Sequence, residues 1–200
     1  MKLMSSIEFI TLRQKVSVAV LKGAIALSFS ACCEPALAAN CNAPAVTFLS
    51  RPSQRSLSDL QAHGQDCWGA IGDKNYRLNA LFRTTSEGNR WAASYLLKHL
   101  NKLDGGNLED AFVAIGQFGD HDMRSLLDYS RQGALPSPIL GRVLRMLPLS
   151  ISDDFGGQLK ILEARRRNIE AITQNDLASQ KTVAMGAIEQ AEARIKSKIK

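Results

Sequence analysis

From residue 58 onward, apolar residues recur at three- and four-residue intervals, while alternating Val/Ile/Thr runs are almost absent. That period gathers apolar side chains on one face of a helix; a half-buried strand would need strict alternation. Ser58-Asp59 predicts the cap of a helix carrying Leu60, Cys67, Trp68 and Ile71, broken at Gly72-Asp73. A second helix spans Tyr76 to Arg83, with Leu78, Leu81 and Phe82 inward and Thr84-Thr85-Ser86 stopping it. Asn89 to Leu103 sets Trp91, Tyr95, Leu96 and Leu100 on one side, and Asp104-Gly105-Gly106-Asn107 ends it with turn residues. Leu108 to Phe118 follows, and Gly119-Asp120 is expected to cap His121 to Gln132. Pro136 and Pro138 open the next helix, where proline is tolerated in the first turn, and Pro148 stops it. Ser152-Asp153-Asp154 predicts the cap of a long helix from Phe155 toward Ile172. The expected fold is therefore all-α, with 39–57 as a linker arm, 58–172 as the packed domain and 173–200 as a C-terminal amphipathic helix or tail.

Three inter-helix joints line up, and the large apolar residues Trp91, Met123 and Phe155 recur at a fixed spacing of 32 positions. Each copy has an apolar helix end, a polar capping turn, then a helix with a large first inward residue. Such units cannot bury their apolar face alone and stack into a continuous core. Ala114-Ile115-Gly116-Gln117-Phe118-Gly119-Asp120, followed by Met123, Leu126 and Leu127, resembles the short HEAT-like repeat of phycobilin lyases. The third joint has Pro148-Leu149-Ser150 where that pattern has Gly-Asp, and the first has no Gly-Asp. The resemblance implies a short right-handed α-solenoid of antiparallel helix pairs and a protein-binding role; it carries over no catalytic residue.

The first forty residues have a different character. Lys2, Arg13, Lys15 and Lys22 precede the uncharged run Gly23 to Cys33, and Ala36-Leu37-Ala38 closes it with small residues. This is the pattern of a cleavable secretory signal, with the cut expected after Ala38. An uncleaved anchor needs about 20 consecutive apolar residues, and Lys22 interrupts the run before that length. Lipidation at Cys32 is disfavoured by Phe29 at the first position of the box and by the odd number of cysteines it leaves. Cleavage after Ala38 leaves Cys41 and Cys67, an even pair expected to bond in an oxidising compartment, periplasmic or secreted. Closing that loop stabilises by about 3 kcal/mol on the chain-entropy account.

Charge is uneven. The whole chain is +6, yet 39–159 holds twelve Lys/Arg and twelve Asp/Glu, against nine and five in 160–200. The excess sits at Arg165-Arg166-Arg167 and at Arg194, Lys196, Lys198 and Lys200. A basic end suits the dipole of a C-terminal helix, and weak contact of that helix with an anionic membrane surface is a further reading. Nucleic acid is not an expected partner, because the body is neutral and no aromatic stacking platform accompanies the basic residues.

No pattern of catalytic or metal-binding residues emerges. His63, His99 and His121 lack metal-ligand spacing, and neither a nucleophile elbow nor a phosphate loop is present. No cofactor is expected. The leading expectation is an exported, non-enzymatic interaction module of the adaptor, assembly or immunity type that binds another protein. The candidate binding residues lie in the capping turns: Glu87, Asn89, Asp120, His121, Asp122, Asp153 and Asp154. A small exported hydrolase acting on envelope material, and an envelope-associated structural protein with a basic membrane-surface helix, stand as alternatives.

Overall fold

The computed structural model describes residues 40–63 and 67–199. The expected signal peptide, its cut after Ala38, and Cys32 and Cys33 lie outside them. All regular structure among the described residues is helical: α1 (Asn42–Ser50), α2 (Gln54–Ala62), α3 (Gly69–Gly72), α4 (Asn75–Ser86), α5 (Arg90–Lys98), α6 (Gly105–His121), α7 (Met123–Arg131), α8 (Ser137–Arg145), α9 (Phe155–Glu170) and α10 (Ala178–Ile199). None of these helices is long and apolar enough to cross a membrane.

The all-α expectation holds, but several boundaries move. The segment read as a linker arm contains α1, whose Ala45 and Phe48 are fully buried three residues apart. Pro44 is compatible with this helix because the first-turn N–H groups have no intrahelical partner in any case. The cap of α2 is Ser53 rather than Ser58-Asp59: Ser53 accepts from the Ser56 backbone, and the Ser56 hydroxyl returns the contact to the Ser53 N–H. The helix expected to run from there to Ile71 is instead two, α2 and the single turn α3. Gly105 and Gly106 open α6 rather than ending its predecessor, with Gly105 at φ +46°.

Gly119-Asp120 does not break the chain; α6 continues through both to His121, and Asp122 caps α7. Both glycines of this stretch are packing residues. A Cβ on Gly116 would lie 2.9 Å from the Val143 carbonyl oxygen and 3.1 Å from Arg165 Nη2; one on Gly119 would lie 2.6 Å from Leu126 Cδ2. Their absence of a side chain lets α8, α9 and α7 approach α6 closely.

Packing runs in series. α4 lies against α6, α6 against α8, and α8 against α10, while α9 also covers α10, α7 and α6. Leu81, Leu96, Ile115, Leu126, Leu140, Leu162 and Ile188 are all fully buried in one contiguous core. Each such side chain contributes roughly 1.5–3 kcal/mol of burial. At the C-terminal end, α10 buries Ala184, Ala187, Ile188, Ala191 and Ile195 and packs against α8 and α9. At the other end, Cys41 and Cys67 form a disulfide with a Cα–Cα distance of 5.4 Å, tying the start of α1 to the turn before α3. Phe48, Trp68, Tyr95 and His99 fill the space behind it, with Trp68 and His99 stacked at 4.9 Å between ring centroids.

Candidate functional site

The capping turns are placed by ordinary helix chemistry. Asn89 accepts from the backbone N–H groups of Trp91 and Ala92 and donates to the Pro52 carbonyl. Asp122 accepts from Ser125 N–H, and Asp154 from Gly157 N–H. These three carboxylate and amide groups are thus committed to helix ends. Asp120 has a different partner. It sits in the last turn of α6, caps nothing, and receives both Nε (2.6 Å) and Nη2 (3.0 Å) of Arg165. Arg165 is fully buried in α9, and its Nη1 donates to the carbonyls of Leu144 and Met146 at the end of α8. One guanidinium therefore joins three helices.

Glu87, His121 and Asp153 remain exposed. The first two turns meet: Gly88, at φ +88°, lies so close to His121 that a Cβ there would be 2.9 Å from the His121 Cβ. The third turn is elsewhere. Asp153 and Asp154 precede α9, about three turns before Arg165, so about 16 Å of helix separates them from the level of Asp120. The seven residues thus form one adjoining pair of turns plus a separate one.

A more pronounced surface feature lies between α8 and α10, a groove with a cavity volume of about 530 Å³. Arg142 and Arg145 reach it from α8, Arg194 and Lys198 from α10. Met146, Leu147, Leu149 and Ile195 supply its apolar lining. No carboxylate lines it among the described residues. Arg145 donates to Gln190 Oε1 across the groove, and Arg142 stacks over the Phe112 ring at 4.8 Å. Leu149 stands 82% exposed on the short turn between α8 and α9.

Sequence reasoning missed this groove. It treated Arg194 and Lys198 as a basic helix end and passed over Arg142 and Arg145. The available signal was spacing: i,i+3 in one helix and i,i+4 in the other put each pair of cations on one face. What the spacing could not supply was the docking of α10 on α8.

Other ionisable groups report burial. The His99 imidazole is pushed toward its neutral form by desolvation, partly opposed by its hydrogen bond to the Tyr95 carbonyl. Burial pushes the Tyr95 hydroxyl well above the ordinary tyrosine range, and it also raises that of Tyr129. Among the described residues, no three His, Cys, Asp or Glu side chains gather in a way that could hold a metal ion. The chain matches no protein-family description, no curated protein and no solved structure.

Proposed function

We propose that this protein is an exported interaction module, secreted or periplasmic after loss of residues 1–38, that presents a helical-repeat surface to another protein. The serial packing of α4, α6, α8 and α10 supports reading the domain as a short, right-handed, HEAT-like α-solenoid. The Cys41–Cys67 disulfide supports an oxidising compartment. The observation that carries the functional reading is the α8–α10 groove: a concave, apolar-lined surface whose charged rim is of one sign. Surfaces of that composition serve recognition, with apolar contacts giving affinity and the rim giving register and on-rate. The adjoining turns at Glu87 and His121 offer a second surface.

Affinity capture from the cell-envelope fraction tests this, using disulfide-intact 39–200 as bait. Two surface variants accompany it: Arg145→Glu with Arg194→Glu in the groove, and Glu87→Lys with Asp153→Lys in the turns. Charge reversal at Asp122 or Asp154 would confound binding with loss of a helix cap, so those positions are left intact. A protein retained by the native chain and lost with at least one surface variant is expected. Retention of nothing beyond what the unfolded, reduced chain retains would overturn the reading.

A further inference from the structure

We infer that the α8–α10 groove is the docking site for an acidic segment of a partner protein, one carrying an apolar side chain among its carboxylates. This rests on the interaction-module reading and adds the chemistry of the partner. Charge complementarity is the first argument. Arg142, Arg145, Arg194 and Lys198 converge from two helices on one concavity, while the 39–159 body of the chain is neutral. Glu109 Oε1 lies 3.8 Å from Arg142 Nη2, whereas no carboxylate pairs with the other three among the described residues; cations so grouped repel one another, and a ligand bearing carboxylates relieves that repulsion on binding.

The lining supplies the second argument. Leu149 contributes almost no burial to the fold, yet it borders the groove beside Leu147 and Ile195. An apolar residue of the partner laid there removes both surfaces from water. Arg142 and Arg145 are already partly positioned, by the Phe112 ring and by Gln190, which lowers the ordering cost of binding.

Shape and charge select among occupants. A bilayer is flat and would touch the rim without filling about 530 Å³ of concave space. The chain's own first 22 residues carry Lys2, Arg13, Lys15 and Lys22 against Glu8, the wrong sign for this rim. An acidic peptide segment meets both the charge and the concavity.

The test is fluorescence anisotropy with disulfide-intact 39–200 and two labelled probes of about fifteen residues. One alternates Glu and Asp with Leu and Phe; the other replaces each acid with Lys. Phosphatidylglycerol vesicles, by co-sedimentation, and sedimentation velocity of the chain alone complete the set. The acidic probe is expected to bind and the basic one not, with affinity falling steeply as salt rises. Arg145→Glu with Arg194→Glu should weaken binding by about tenfold or more, and Leu149→Ser by roughly threefold, without a change in Tm. Glu87→Lys with Asp153→Lys should leave it unaltered. Equal binding of both probes, or groove variants that bind the acidic probe like the native chain, would overturn the inference. So would vesicles binding through the same residues while the probe does not, or a dimer that the groove variants dissociate. In envelope capture, a partner lost only with the turn variant would sink the acidic-segment inference while leaving the interaction-module reading standing.

Discussion

Replacing Asp120 by Asn isolates the joint that holds α6, α8 and α9 together. Arg165 is fully buried, and Asp120 supplies two of its four hydrogen bonds; the α8 carbonyls of Leu144 and Met146 supply the others. Removing one partner of a buried ion pair costs about 3–5 kcal/mol, because the remaining charge stays desolvated. Here the Asp120 side chain is 33% exposed. Water and the Asn oxygen therefore recover part of the loss, and the expected cost is about 2–3 kcal/mol. At roughly 2–4 °C per kcal/mol for a domain of this size, Tm should fall by about 4–12 °C. The control is Glu163→Gln, which breaks the i,i+4 pair with Arg167, both side chains more than 60% exposed. That change should cost less than about 0.5 kcal/mol. Thermal and urea unfolding of disulfide-intact 39–200, followed by circular dichroism, reads both variants. Equal midpoints for Asp120→Asn and Glu163→Gln would refute the claim that Arg165 anchors the joint.

Three further outcomes follow from the same structure. Cys41→Ala with Cys67→Ala should lower stability by about 3–3.5 kcal/mol, the chain-entropy range for a loop of 26 residues; unchanged urea midpoints would show that the bridge does not restrain the unfolded chain. Gly116→Ala should destabilise by about 1–3 kcal/mol, because the new methyl meets the Val143 carbonyl and Arg165 and the clash outweighs alanine's better helix propensity. Gly106→Ala, with open space around it, should be neutral or stabilising, and the reverse order of the two would contradict the packing account. For His99, burial depresses the folded-state pKa below the unfolded value of about 6.5. The unfolded chain therefore binds the proton first, and stability should fall as pH drops below about 6.5. Urea midpoints measured from pH 7.5 to pH 5 should fall less steeply in His99→Gln than in the native chain; parallel profiles would remove His99 as a cause.

Much of this was legible along the chain because it depends on local chemistry. Asn89 and Asp154 announce helix starts, Pro136 and Pro138 a first turn, and Leu126 with Leu127 an inward face. The cysteine pair followed from counting. What escaped depends on contacts between distant segments. Gly119-Asp120 has the composition of a turn, yet the glycine serves close packing and the aspartate serves an arginine 45 residues later. α1 was hidden because only Ala45 and Phe48 mark its buried face amid Asn, Pro and Ser. The groove was invisible for the same physical reason: Arg142 and Arg194 become neighbours only once α10 lies against α8. Of the expected turn residues, Asn89, Asp120, Asp122 and Asp154 proved to be holding the fold, leaving Glu87, His121 and Asp153 free for contact at the surface.

Native mass spectrometry of the endogenous chain, released gently from cells, decides whether this is an exported module that works by holding another protein. The expected species is a chain of residues 39–200, lighter than its reduced form by the two hydrogens of the Cys41–Cys67 bond, in complex with a second, different protein. A full-length chain with free thiols, or a mature chain that always flies alone, would contradict it.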